Sequence, residues 1–151
     1  MKQRKAQAAL EYLTTYGWAI LAAIIAIGAL MYFGFLNPSN LLPNRCDFGK
    51  QLECIDYKIN TSSSDSQVSV ILRNNFGKAI EIEDVAGDEI AGSPISLPLF
   101  IDVGDAKELI MNLNKRAPVG DKKEVNPIVV FRRAGTTNSH NVTGDVFVTV
   151  Q

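Results

Sequence analysis

The fold is decided by the first quarter of the chain, where residues 2–36 read KQRKAQAALEYLTTYGWAILAAIIAIGALMYFGFL. Residues 17–36 are 20 positions without a charged, amide or hydroxyl-only side chain. At 1.5 Å of rise per residue, a helix of that length spans roughly 30 Å, the hydrocarbon thickness of a bilayer. Three cations precede the run and no charge follows it until Arg45. The positive-inside rule therefore predicts one membrane pass with a cytoplasmic amino terminus.

Two simpler kinds of segment share part of this pattern. A cleaved secretory signal has an apolar region of about 7–15 residues followed by a small-residue cleavage site. Here the apolar run is longer, and residues 32–36 offer no such site. An uncleaved signal anchor fits the length and the charges but leaves Glu11 unexplained. A carboxylate near the bilayer centre costs about 2.5–3.5 kcal/mol, and less near the interface, so Glu11 is a candidate functional residue.

The residues around Glu11 match a known pattern. The block RKAQAALEYL (residues 4–13), followed by YGWAIL (residues 16–21), resembles the class III signal peptides of archaeal type IV pilin-like proteins. The chain departs from that pattern at Ala6, where Gly is commoner, and at Ala9, where Ser is common. Both positions keep a small side chain. The resemblance covers the first quarter of the chain.

The resemblance implies processing and a partner for Glu11. A prepilin peptidase would cut between Ala6 and Gln7 on the cytoplasmic side, which removes residues 1–6 as a leader peptide. The new ammonium group of Gln7 would then lie four residues from Glu11, and the two charges would support assembly within or between subunits. Residues 7–36 would form the hydrophobic helix through which subunits self-assemble, after leaving the membrane, into a filament.

Small side chains recur along this helix at spacings that predict one face. They allow helix backbones to approach closely where burial from water no longer drives association. Ala and Gly are also simply common in spanning helices, so a packing face is an interpretation that the resemblance favours. Its members are Ala19, Ala22, Ala23, Ala26 and Ala29.

The remaining residues predict one extracellular domain. Residues 37–151 are 115 positions with 12 Lys and Arg against 15 Asp and Glu, a net charge of −3. No basic stripe suggests a nucleic-acid partner. Pro38 cannot continue the helix, so residues 37–45 are expected to be a linker and residues 46–151 the folded domain.

The chain has two cysteines, Cys46 and Cys54, both on the expected outer side. A disulfide between them would stabilise the domain by roughly 2.5 kcal/mol on the loop-closure model. Zinc is the alternative, but two thiolates and one distant histidine do not make a four-ligand site. We expect the disulfide.

Alternating apolar residues and turn signals predict a β-domain. Residues 68–73 and 80–83, joined by the turn sequence Asn-Asn-Phe-Gly, are expected to form a hairpin with one wet face. Pro98 is expected to place its strand at a sheet edge. The fold class is therefore α+β, with a long helix followed by an antiparallel β-sandwich of immunoglobulin-like topology. Seven strands are expected, at residues 54–59, 68–73, 80–83, 95–101, 108–113, 127–132 and 145–150.

The sequence contains no pattern typical of an enzyme, a cofactor site or a metal site. His140 is the sole histidine and is expected in a loop, so we expect neither a two-histidine metal site nor a His-based triad. Five acidic residues at expected loop positions lack the spacing of a calcium loop; they are Asp84, Asp88, Glu89, Asp102 and Asp105.

Two triplets match the N-glycosylation acceptor pattern. Asn60 begins Asn-Thr-Ser and Asn141 begins Asn-Val-Thr, each on an expected loop and on the side of the membrane where glycans are added. Such triplets also arise by chance, so each is a hypothesis.

Two functions from different classes follow. In the first, the chain is a major or minor pilin, a structural subunit of a type IV pilus-like surface filament that serves adhesion. In the second, it is a monomeric membrane-anchored β-domain that binds a surface ligand or an envelope partner. An archaellum-type subunit is a weaker alternative, since the block at residues 7–11 resembles pilins more closely.

Overall fold

The computed structural model describes residues 2–33 and 42–151, with side chains from Ala9 onward in the helix. The described residues belong to two compact units, residues 1–42 and 43–151. The first contains one helix, α1 (Lys2–Tyr32), and its last described bond runs from the Phe33 N–H to the Ala29 carbonyl at 3.0 Å. Residues 34–41, where the sequence predicts the end of the helix and most of the linker, lie outside the described residues.

The second unit is an antiparallel β-domain, which confirms the α+β layout. Its three sheets have the strand orders β1-β11-β8, β10-β9-β4-β6 and β2-β3-β7-β5. A single parallel bridge joins Ile59 to Val150. An immunoglobulin-like arrangement is compatible with this layout and stays a prediction. The described strands are β1 (Arg45–Asp47), β2 (Leu52–Thr61), β3 (Ser66–Asn74), β4 (Ile80–Ala86), β5 (Ile90–Gly92), β6 (Leu99–Ile101), β7 (Ala106–Leu113), β8 (Lys122–Val125), β9 (Ile128–Arg133), β10 (Ser139–Thr143) and β11 (Asp145–Thr149).

Alternating side chains from all three sheets form one core. On β3, Val68, Val70 and Leu72 are fully buried, as the period-2 pattern of the sequence predicts. The neighbouring strands contribute residues of the same kind, since one face of each sheet is turned to the interior. Among the buried residues of the core are Ile59, Ile82, Leu109, Val125, Phe131 and Val146.

The prediction of a hairpin between residues 68–73 and 80–83 is wrong. β3 pairs with β2 and β7, whereas β4 pairs with β6 and β9 in a different sheet. The segment between them is therefore a crossover, although its residues have the composition of a tight turn. Alternation shows that a strand has a buried face, but it does not show which strand lies beside it.

Asn74 explains why the chain crosses over at this point. Its side chain is fully buried and donates to the carbonyls of Lys78 and Ile101 at 3.0 and 2.9 Å, while its Oδ1 accepts from the Phe76 N–H at 2.9 Å. Its main chain bonds Asp105 and Gly104. A buried amide must satisfy its groups, and here the turn and β6 supply the partners that do so.

Four strands lie where the sequence predicted none: β1, β5, β8 and β10. Three of them have three or four residues, and β8 and β10 are rich in polar side chains. Such short polar strands carry little periodic signal. The expected strand at residues 95–101 is reduced to β6, since Pro94 and Pro98 cannot donate to a ladder, and β6 does lie at a sheet edge.

The role of Asn74 can be tested by substitution. Asn74→Ala removes three buried hydrogen bonds and leaves the Phe76 N–H without an acceptor, so we expect a loss of about 2–4 kcal/mol in the free energy of unfolding. The measurement is urea denaturation of the full chain in a nonionic detergent, followed by circular dichroism of the β-domain.

Asn75→Ala is the matched control. Asn75 is exposed, and its side chain bonds Glu53 at 3.1 Å and the Lys50 carbonyl at 3.5 Å, so its loss should cost less than about 1 kcal/mol. Equal losses from the two variants would contradict the role given to Asn74.

Candidate functional site

The described side chains of α1 are all exposed. Apolar residues, large or small, occur around the whole circumference of the helix; among the large ones, Leu13 is 70% exposed and Trp18 is 75% exposed. The 24 residues Ala9–Tyr32 are long and apolar enough to cross a membrane. A helix that is apolar on every side is not stable in water and requires lipid or other apolar surfaces around it. It is a candidate membrane anchor or signal sequence.

The helix also places its small residues and Glu11 on one face. Because α1 is continuous, residues three or four apart are neighbours on its surface. Starting from Glu11, steps of four, four, three, four and three lead to Thr15, Ala19, Ala22, Ala26 and Ala29. Ala23 lies beside this row. The five alanines predicted as a packing face thus share a side with the acidic residue.

The hydroxyls of Thr14 and Thr15, close to Glu11, are satisfied within the helix. The Thr14 hydroxyl donates to the carbonyls of Leu10 and Glu11, at 2.9 and 3.1 Å, and the Thr15 hydroxyl donates to the Glu11 carbonyl at 2.8 Å. Such back-bonding keeps hydroxyls out of contact with hydrocarbon. The Glu11 carboxylate has no partner among the side chains that the structure describes. The side chains of Ala6 and Gln7, where cleavage is predicted, lie outside that set.

The two cysteines are joined, as predicted. Cys46 on β1 and Cys54 on β2 form a disulfide with their Cα atoms 6.0 Å apart. β1 belongs to the sheet β1-β11-β8 and β2 to the sheet β2-β3-β7-β5, so the bond connects two sheets. Both residues are partly buried against the core. Its role in this structure is therefore to hold the layers together.

The predicted glycosylation residues lie on strands, not on loops, which corrects the expectation for both. Asn60 is on β2 and Asn141 is on β10, and both are exposed. They belong to different sheets and form no joint site. On β10, Asn141 alternates with His140, whose ring lies 5.8 Å from that of Phe131. A glycan on Asn141 would therefore project from the face opposite to His140.

His140 was expected in a loop, and that expectation is wrong. It occupies β10 opposite Phe131 on β9. Its polar neighbours Ser139 and Asn141 hid the strand, because only Val142 gives β10 an inward apolar residue. The described residues contain no group of three or more His, Cys, Asp or Glu side chains that could hold a metal ion.

Two adjacent residues of β9, Arg132 and Arg133, lie in different electrostatic environments. The sequence did not predict this difference. Arg132 lies between Glu81 and Glu83, with N···O distances of 2.9 and 3.2 Å. The hydrogen bond to Glu81 and the charges of both carboxylates raise the pKa of Arg132 above its usual value. Arg133 lies on the other face, 5.1 Å from the centroid of the Phe76 ring. Successive side chains of a strand point to opposite faces. The difference between the two arginines therefore follows once β4, which carries Glu81 and Glu83, is known to lie beside β9.

No protein-family model matches the chain, and no curated protein sequence matches it either. Among solved structures, the apo PCuAC domain from PmoF1 is similar to the chain with a TM-score of 0.45 and 12% sequence identity. That likeness covers 72% of this chain and 96% of the domain. It does not assign a function to the chain.

The contribution of the disulfide to the stability of the β-domain can be tested by substitution. Replacing both residues, as Cys46→Ala with Cys54→Ala, should lower the free energy of unfolding by about 2–3 kcal/mol, because the unfolded chain regains the freedom of the closed loop. Urea denaturation with and without a reductant measures this. The reductant should destabilise the wild type by the same amount and the double variant not at all; an unchanged wild type would contradict the prediction.

Proposed function

We propose that this chain is a structural subunit, a major or minor pilin, of an archaeal type IV pilus-like surface filament that serves adhesion. The observation that carries the proposal is α1: an apolar helix with every described side chain exposed, a row of small residues, and one unpartnered carboxylate on the same face. A filament core would cover all three features at once.

The first feature is the exposed apolar surface. Burying a large apolar side chain is worth about 1.5–3 kcal/mol, and α1 exposes more than ten of them, so the helix requires a lipid or protein environment. A bilayer provides it for the precursor, with the amino terminus in the cytoplasm and the β-domain outside. A bundle of identical helices provides it again when the subunit leaves the membrane.

The second feature is the row of small residues. Between helices in an apolar environment, close backbone approach supplies van der Waals contact that lipid does not replace. The row from Ala19 to Ala29 extends over about three turns. It suits a neighbouring helix better than lipid chains, and that favours assembly over a solitary anchor.

The third feature is the carboxylate of Glu11. An anchor gains nothing from an unpartnered acid, whose cost in the apolar region is on the order of 2.5–3.5 kcal/mol at the bilayer centre. Cleavage between Ala6 and Gln7 by a prepilin peptidase would create an ammonium group close by. The pair then offsets the cost of both charges within or between subunits.

Processing is tested by the amino terminus of the protein recovered from cells. Mass spectrometry should find a chain that begins at Gln7, with the helix retained. Ala6→Phe should block the cut because a bulky side chain replaces a small one, whereas Ala6→Gly should be cut normally. Recovery of intact Met1, or of a chain that begins near Asn37, would reject the family proposed.

Assembly is tested by Glu11→Val. Membrane insertion should be unharmed, since an expensive group has been removed. The ammonium of Gln7 would lose its partner, and breaking a buried pair costs about 3–5 kcal/mol, so filaments should fail while processed monomer accumulates. Electron microscopy of cells, with a blot for cleavage, measures both outcomes.

Thr14→Val is the matched control for that experiment. It also replaces a polar residue by an apolar one, but its hydroxyl is already satisfied inside the helix. Filaments should form normally with this variant. Normal filaments with Glu11→Val would refute the role of Glu11, and a wild type without filaments under any growth condition would favour the membrane-anchored monomer.

A further inference from the structure

One face of the β-domain has a cleft that is lined by basic side chains and by no acidic side chain. The cleft is about 500 Å³ in volume and adjoins a second hollow of about 350 Å³; the two share Gln51, Phe76 and Arg133. No residue that lines either hollow is Asp or Glu, although the domain as a whole is acidic. The residues that matter here are Lys50, Gln51, Phe76, Lys78, Arg133 and His140, and together they are termed the basic cleft.

Arg133 is the central cation of the basic cleft. Its guanidinium lies over the Phe76 ring, and its Nε is buried without a hydrogen-bond acceptor. It forms no ion pair with any side chain that the structure describes, in contrast to Arg132 beside it. A guanidinium stacked on a ring is held in one plane, and its remaining N–H groups are a fixed fork for an oxyanion.

The loops that carry the two lysines are tied to each other. The Asn75 N–H donates to the Gln51 carbonyl at 2.9 Å, and the Asn75 amide donates to the Lys50 carbonyl at 3.5 Å. Asn74 holds the carbonyl of Lys78 from the interior. Neither lysine has an ion pair among the described residues. The backbone at each of the three charges is therefore fixed before any ligand arrives, which lowers the cost of ordering the site.

The floor of the basic cleft is apolar and aromatic. The rings of Phe76 and Phe131 are 5.0 Å apart, and the His140 ring continues the row at 5.8 Å from Phe131. Gln51, with its amide, and His140, with its imidazole, also line the cleft, and both residues are exposed. Such groups donate to and accept from hydroxyls, whereas the aromatic edges contact carbon.

We propose that the basic cleft binds an acidic saccharide, a chain of sugar rings that carry carboxylates. A carboxylate matches the fork of Arg133 and the charges of Lys50 and Lys78. Ring hydroxyls match the amide of Gln51 and the imidazole of His140, and the carbon face of a sugar matches the ring of His140, which is exposed.

The test is calorimetric titration of the full chain in a nonionic detergent with a galacturonic acid trisaccharide. The same trisaccharide with its carboxyls methylated is the uncharged probe and should bind at least tenfold more weakly. Arg133→Gln and Lys50→Gln should each lower the affinity about tenfold to a hundredfold, the range of a charge-assisted hydrogen bond. Lys50 is exposed in a turn, so its variant stays informative if Arg133→Gln fails to fold.

Arg116→Gln is the matched control. Arg116 is exposed, lies outside the basic cleft and has no ion pair among the residues described, so this variant removes the same charge and should leave the affinity unchanged. An equal loss from Arg116→Gln would mean diffuse attraction and overturn the proposal. Absence of binding at millimolar trisaccharide, or equal binding of the methylated form, would overturn it too.

A glutamate hexapeptide separates a saccharide site from a site for acidic protein segments. It should bind at least tenfold more weakly than the trisaccharide, and equal or tighter binding would overturn the choice of a saccharide. All of these measurements use unassembled chain in detergent. Their outcome is therefore independent of whether the chain is a pilin.

Discussion

The side-chain amide of Asn74 is buried at the point where the chain leaves one sheet for another, and much of the β-domain depends on how it is satisfied. Its three side-chain hydrogen bonds reach Phe76, Lys78 and Ile101, so they join the end of β3, the following turn and the edge strand β6. An unsatisfied amide at this depth would cost about 1–3 kcal/mol for each group left without a partner. The crossover is thus stabilised by polar groups inside an apolar core, and the bond from the Phe76 N–H to Asn74 positions Phe76 as well.

The basic cleft is a consequence of that crossover. The turn places Phe76 in the interior, where its ring contacts that of Phe131 on β9. The Arg133 guanidinium lies over the Phe76 ring. One residue earlier on the same strand, Arg132 meets Glu81 and Glu83 on the opposite face. The two arginines differ by a single step of the strand. Arg132 is paired with acidic side chains within the fold, whereas Arg133 has no acidic partner among the described residues.

The helix and the β-domain require different environments. The β-domain has its own core and a mixed, charged surface, and it is stable in water by the usual burial of alternating side chains. Between Ala9 and Tyr32, where its side chains are described, the helix has no polar face apart from the short segment around Glu11, Thr14 and Thr15, so this part requires lipid or other helices around it. A surface filament of the kind proposed uses both properties, because the helix would form the core while the domain meets the medium. The basic cleft would then be presented repeatedly along its length.

The sequence alone determined the long apolar helix, the disulfide of Cys46 with Cys54 and the positions of the longer strands, since each leaves a local signal in length, spacing or alternation. It also placed β6 at an edge, because Pro98 cannot donate to a ladder.

It failed where the signal is not local. β1, β5 and β8 are three or four residues long and exist because longer neighbours pair with them, and β10 is polar enough to be mistaken for a loop. Only the tertiary structure decided that β3 and β4 belong to different sheets, that His140 stands opposite Phe131, and that Arg133 lacks the partner that Arg132 has. The physical reason is that strand pairing joins residues distant in the chain, and the pattern of one strand does not encode which strand lies beside it.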